Sequence, residues 1–259
     1  EPIVDSISVD EIDTYLKSFK SQIKNIGDGD YLNKIDDELS ENYNLNVFKH
    51  SYTNNERKYL NYYTESSVNF NRTLRKTLSS DSYNSNLMPI LHLISAFSNQ
   101  LSYSENNMIL YRASESNKWL DEHVAGDYIV EPGFLSTSIS LFSVKDFIKN
   151  PNSGILYVIY APKKTNGIYI KSISDVREEK EYLLNCGSIF KILKIENRAA
   201  LDQKNPLSGA AGFVYHLFYI GNISLSIVNN EIFKSIANAE NKKLYKDLVD
   251  IYHKGKKNE

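Results

Sequence analysis

A single cysteine, Cys186, has no partner for an internal disulfide, and cysteines and histidines nowhere fall at zinc-ligand spacing. An excess of one charge is also missing. The 30 Lys+Arg against 32 Asp+Glu give a formal net charge of −2, which argues against a nucleic-acid binder that relies on a basic face. No apolar run approaches the ~20 residues needed to cross a bilayer. Gly-rich phosphate loops and dinucleotide fingerprints are absent. Gly-x-Ser-x-Gly is absent as well, and the five histidines (His50, His92, His123, His216, His253) adjoin no plausible nucleophile, which leaves a serine hydrolase remote. The chain opens with Glu1-Pro2-Ile3, so any export signal or carrier domain is expected to have been removed or to lie outside these residues. What remains is a chain of 259 residues, long enough to bury a core without staples.

The first hundred residues read as helical. Ile12, Tyr15, Leu16, Phe19 and Ile23 share one face over residues 9–26. Amphipathic stretches follow at 31–43, 56–78 and 86–101, the second carrying Leu60, Tyr63, Val68 and Leu74. Asp28-Gly29-Asp30 lacks the spacing of a calcium loop and reads as a turn. From Met108 the pattern changes to short β segments at 108–113, 127–130, 134–139, 154–160, 167–170, 182–184, 189–195 and 213–220. Only brief helical pieces near 118–124 and 143–149 interrupt them, and residues 231–252 return to helix before a basic end. Helices first and strands later predict an α+β fold and not alternating βαβ units. The expected organisation is a helical part over 1–105 and a β-rich core over 106–225, forming one domain together, with a helical tail over 226–259.

Three signals on separate β segments carry chemistry. Arg112 ends the first strand after Tyr111. Ser136-Thr137-Ser138 occupies a strand whose neighbours Phe134, Leu135 and Ile139 are apolar. Glu178, Glu179 and Glu181 crowd into four positions before the run Tyr182-Leu183-Leu184. If that stretch is extended, residues two apart share a face, so Glu179 and Glu181 point the same way and raise each other's pKa. Taken singly, each has an ordinary reading: a surface arginine, β-compatible hydroxyls, an acidic strand end. Their joint occurrence in this order is far more specific.

Together these residues resemble the arginine–serine–glutamate class of mono-ADP-ribosyltransferases, which contains many bacterial toxins. Tyr111-Arg112 is similar to the family's aromatic-arginine strand end, and Gly133-Phe134-Leu135 followed by Ser136-Thr137-Ser138 to its Ser-Thr-Ser motif. Glu179-Lys180-Glu181 is similar to its Glu-x-Glu motif, with Glu181 the catalytic glutamate. The segment from Tyr63 to Arg75 resembles the family's N-terminal helix, so the likeness spans about residues 10 to 225. Two departures stand out. Residues 171–180 contain no aromatic side chain where relatives often have one, and position 150 is Asn, beside Lys149, where many toxins place an arginine three residues after Phe147.

The resemblance implies two roughly perpendicular β-sheets around an NAD cleft, with NAD as substrate and no metal. It implies Glu181 on the ribose, Ser136 orienting Glu181, Arg112 on the pyrophosphate, and Ala113, Thr137, Ser138 and Phe147 around the rest of the dinucleotide. Glu179 would meet the acceptor, an arginine of a host protein, with actin the first guess. The residue types suit that chemistry, because cleaving the nicotinamide–ribose bond builds positive charge that a fixed carboxylate stabilises. A secreted or injected monomer acting in a host cell is expected. An NAD glycohydrolase using water as acceptor, or an inactive binding module of a toxin complex, are the alternatives.

Overall fold

The computed structural model describes residues 14, 16–44, 52–75, 89–90, 92–98, 103–115, 123–197, 207 and 211–222. The expected helix at 231–252, the basic end, and most of the piece near 118–124 lie outside them.

Two helices of the first part start with a side chain that satisfies free backbone N–H groups. Asp28 accepts from the backbone N–H of Asp30 and Tyr31 and opens the helix Gly29–Asn42, so the acidic cluster read as a turn is in fact a cap. Thr53 and Glu56 form a reciprocal capping box: Glu56 N–H donates to Thr53 Oγ1 at 3.2 Å and Thr53 N–H to Glu56 Oε2 at 2.6 Å. They open the long helix Asn54–Arg75, which is interrupted at Ser66, where φ is −140° and ψ is 35°. Along this helix Leu60, Tyr63, Phe70 and Leu74 are buried. Val68, expected on the apolar face, is exposed, because the break at Ser66 puts the helix beyond it out of phase with a continuous 3.6-residue repeat. The stretch 9–26 gives one named helix among the described residues, Lys20–Lys24.

Eight strands follow: β1 (Met108–Ser114), β2 (Tyr128–Glu131), β3 (Leu135–Ser138), β4 (Ile155–Ala161), β5 (Gly167–Tyr169), β6 (Glu181–Leu184), β7 (Ser188–Asn197) and β8 (Phe213–Asn222). A short helix Leu141–Lys145 sits between β3 and β4. The fold is α+β, with helices in the first part and β structure after it. The strands form one hydrogen-bonded run in the order β2-β7-β8-β4-β1-β3-β6-β5. The two-sheet division expected from the sequence corresponds to no break in this run. The joint between β1 and β3 is narrow, a single residue pair, Tyr111 with Ser138. On one side of that joint are five strands, including the fully buried β4 and its parallel neighbour β8; on the other are β3, β6 and β5, which antiparallel pairs hold together.

Buried aromatic contacts fix the long helix to the joint. Phe134, immediately before β3, packs between Tyr63 and Phe97 with ring centroids 5.5 Å apart in both cases. Gly133 precedes it with no room for a side chain, since a Cβ there would lie 2.7 Å from Asn71 Oδ1. The end of the helix is tied to β2 by Arg75, whose Nε lies 2.8 Å from Glu131 Oε1. The same Glu131 oxygen accepts from Gly133 N–H at 2.7 Å. The helix and the β2–β3 connection are therefore locked together beside β3.

Candidate active site

Strand order places the three sequence signals next to one another. β1 carries Arg112 and Ala113, β3 carries Ser136, Thr137 and Ser138, and β6 begins at Glu181. In the β3–β6 ladder Ser138 lies opposite Glu181 and Ser136 opposite Leu183. Ser136 and Ser138 share one face, and Ser136 is the diagonal neighbour of Glu181 on it. Arg112, Ala113, Ser136, Thr137, Ser138, Phe147, Glu179 and Glu181 all line one cleft of about 320 Å³, within the size range of small-molecule sites. Every site residue expected from the sequence is thus brought to the same cavity.

The two glutamates reach the cleft by a different route from the one expected. Glu179 ends a 3-10 turn, Arg177–Glu179, and Lys180 is left-handed with φ 46° and ψ 52°. Residues 179–181 are not extended, so strand alternation does not explain why both face the cavity. A turn followed by a left-handed residue does. Hydroxyl groups hold that turn from across the cleft. Ser138 Oγ donates to Glu179 O at 2.6 Å and Ser143 Oγ donates to Glu178 O at 2.8 Å. Ser140 in turn caps the short helix bearing Ser143, accepting from Ser143 N–H at 3.2 Å. The helix spans 141–145 and not the expected 143–149, and exposed Phe147 follows it at the cleft mouth. Thr137 also lines the cleft, and its hydroxyl donates to the Tyr182 carbonyl.

Electrostatics single out Glu181. Burial pushes its carboxyl up, Glu179 adds to the effect, and a hydrogen bond from Ser136 and the charge of Arg112 oppose it, leaving the pKa at about 7. Burial raises Glu179 as well. Arg112 donates from Nη1 to Ser136 O at 2.7 Å, which orients the guanidinium plane along the joint. Burial lowers its pKa and the Glu131 carboxylate raises it, yet an arginine stays charged throughout the physiological range. A cation on β1 and a desolvated carboxylate on β6, with β3 between them, can hold an anionic phosphate and a developing positive charge in one cleft.

The sequence motif for the third wall was visible, but its role was not. Tyr63, Thr64 and Ser67 of the long helix also line the cleft, together with Tyr111, Ser143 and Val144. Burial raises the Tyr63 hydroxyl to about 12 despite hydrogen bonds from Ser136 and Asn71; Asn71 Nδ2 donates to it at 3.0 Å. Tyr63 and Thr64 precede the break at Ser66 and Ser67 follows it, so no single helical repeat in the sequence marks the three as one face. Among the described residues, no group of three or more His, Cys, Asp or Glu could hold a metal ion.

The sequence model of the ADP-ribosyltransferase exoenzyme family matches residues 33–210. The chain belongs to that family. Members use NAD as the donor of ADP-ribose, and the motif strands and the cleft all lie inside the matched span. No curated protein matches the chain by sequence. Solved structures similar in fold include Plx2a, an ADP-ribosyltransferase toxin from Paenibacillus larvae, at 18% identity and TM-score 0.58, covering 73% of this chain and 96% of that one. The Clostridium limosum C3 exoenzyme has 16% identity and TM-score 0.56, covering 73% and 93%. The ADP-ribosyltransferase Vis, from Vibrio splendidus, solved in complex with agmatine, has 19% identity and TM-score 0.50, covering 77% and 89%. The chain therefore has the fold of the bacterial mono-ADP-ribosyltransferase toxins.

Proposed function

We propose that this chain transfers ADP-ribose from NAD to an arginine of a host protein. The observation that carries the reading is the pairing of Glu179 and Glu181 in one cleft with Arg112 and Ser136. Arg112 binds the pyrophosphate through the planar fork of its guanidinium. Glu181, oriented by Ser136, holds a ribose hydroxyl and stabilises the charge that develops as the C1′–nicotinamide bond breaks. The bonding electron pair leaves with nicotinamide, which departs neutral. Glu179 orients the acceptor guanidinium and takes its proton as the new C1′–N bond forms. Ala113, Thr137 and Ser138 line the dinucleotide site with Phe147 at its mouth, and Tyr63, Thr64 and Ser67 close it from the helix side.

Support for a guanidinium acceptor comes from Vis, whose complex contains agmatine, a small molecule with a guanidinium group. Actin is the first acceptor protein to test. We further read residues 1–105 and 106–225 as one catalytic domain, acting as a secreted or injected monomer in the host cytosol. The test is incubation with labelled NAD and either agmatine or a eukaryotic lysate, followed by identification of the labelled side chain. Label on arginine supports the proposal. Nicotinamide release with no labelled acceptor supports an NAD glycohydrolase, and neither activity supports an inactive binding module.

A further inference from the structure

Away from the cleft, one buried carboxylate gathers an unusual number of donors. Asp36, on the helix Gly29–Asn42, is 5% exposed. Its Oδ1 accepts from the Tyr169 hydroxyl at 2.7 Å, from Lys171 Nζ at 2.8 Å and from Ser40 Oγ at 3.3 Å. Its Oδ2 lies 2.7 Å from Lys180 Nζ and 2.9 Å from Lys171 Nζ. The two lysines lie near the start and at the end of the connection 170–180, which leads from β5 into β6. One carboxylate on a distant helix therefore clamps both ends of the connection that carries Glu179 and delivers Glu181.

The identity of Lys180 gives this clamp its meaning. It is the residue between the two glutamates, and it holds a left-handed backbone conformation that an L-residue adopts only under constraint. Its ion pair with Asp36 supplies that constraint from the side-chain end. The pair also holds the Lys180 ammonium on Asp36, and Lys180 is not among the residues lining the cleft. A free ammonium beside Glu179 and Glu181 would lower the pKa of both carboxylates and compete with a cationic acceptor for Glu179.

We propose that Asp36 is a positioning residue for the ADP-ribosyl transfer site, acting through Lys180 to hold the turn that presents Glu179 and Glu181. This rests on the function proposed above, but its structural half can be read without activity. In Asp36→Asn and in Lys180→Met, amide exchange at residues 179–181 accelerates on the order of tenfold or more while β8 amides keep their protection. Transfer to agmatine falls about tenfold or more, nicotinamide release falls less, and the KM for NAD holds. The pH profile separates a positioning role from a merely structural one. Asp36→Asn frees the Lys180 ammonium and moves the acid limb of kcat/KM to lower pH, whereas Lys180→Met, which has no such cation, leaves the limb in place. Lys180→Arg keeps the ion pair and restores the transfer-to-hydrolysis ratio. Lys180→Met retains the Lys171 and Tyr169 contacts to Asp36, so it reports even if Asp36→Asn does not fold. Unchanged exchange at 179–181 in a folded Lys180→Met overturns the proposal. So does an equal loss of both activities together with an unchanged pH profile. Wild-type protein with neither activity, but with the exchange difference intact, overturns the functional reading and leaves the clamp standing.

Discussion

Asp36 and Glu181 are carboxylates that belong to opposite ends of the Lys180 side chain, one at its ammonium and one at its backbone, and their acidities move in opposite directions. Asp36 is surrounded by donors. Lys171, Lys180 and Tyr169 outweigh the burial that would raise its pKa and bring it to about 2. Glu181 has a serine hydroxyl and a neighbouring glutamate in place of ammonium groups, so burial prevails and its pKa rises to about 7. A carboxylate already neutralised by lysines has little left to offer a substrate. One held without a close-paired cation is costly in the free protein and can stabilise positive charge that arrives only during reaction. The first arrangement stabilises the fold, and the second suits the reactive role proposed for Glu181.

The largest expected effect comes from the reactive side. Glu181→Gln keeps the shape and removes the charge, and both nicotinamide release and ADP-ribosyl transfer fall on the order of a thousandfold. Glu179→Gln sharpens the contrast within the cleft. Transfer to agmatine falls by a similar factor while appreciable NAD hydrolysis remains, because water needs less help than a protonated guanidinium. Two assays per variant, nicotinamide release without acceptor and label transferred to agmatine, decide it. Equal losses of both activities in both variants would end the division of labour between the glutamates.

Arg112→Lys comes next. The KM for NAD rises about ten- to a hundredfold, because a point-charge ammonium cannot reproduce a two-pronged phosphate contact. Isothermal titration of NAD checks this directly, and unchanged affinity in a folded variant removes Arg112 from the phosphate site. Ser136→Ala has a smaller effect, about tenfold in turnover. Losing its hydrogen bond raises the Glu181 pKa further, so the acid limb of kcat/KM, expected near the free-enzyme value of about 7, shifts to higher pH.

Stability separates the two carboxylates with opposite signs. Between roughly pH 4 and 7, unfolded Glu181 is ionised while the folded protein keeps it protonated, so its contribution to stability declines as pH rises. Glu181→Gln should therefore stabilise the protein at pH 8 by at most about 3 kcal/mol and hardly at pH 4. The Asp36 carboxylate contributes fully above its unfolded pKa near 4, and the contribution is lost as pH falls through about 2. Asp36→Asn should cost about 2 kcal/mol at neutral pH, discounted for the partial exposure of its lysines. Urea midpoints at pH 4 and 8 test Glu181, and midpoints at pH 2 and 8 test Asp36. The smallest expected effect is none: activity should persist in EDTA, and loss restored by one specific metal would contradict a reaction that Glu181 and a cationic leaving group carry.

The ordered set Arg112, Ser136 and Glu181 was legible because it depends on residue types and on strands that their own β-branched and aromatic content predicts. β1, β4 and β6 lie within a residue or two of the expected segments. What was not legible depended on partners remote in sequence. The common facing of Glu179 and Glu181 was expected from strand alternation, but it comes from a 3-10 turn and a left-handed Lys180 that Ser138, Ser143 and Asp36 secure. Lys180 carries no local sign of that conformation, since glycine or asparagine would be the usual choice.

Local chemistry in the sequence therefore determined the α+β arrangement and the choice of candidate reactive groups. Periodicity and residue type are properties of short windows, and the charge-bearing side chains are the same wherever the chain takes them. Tertiary structure alone decided which groups share a cavity, that the helix bearing Tyr63, Thr64 and Ser67 closes it, and which way each buried carboxylate is shifted. The physical reason is that desolvation and Coulomb interaction depend on distance through space. Asp36 and Lys180 are far apart along the chain, yet their charged atoms lie 2.7 Å apart in the fold.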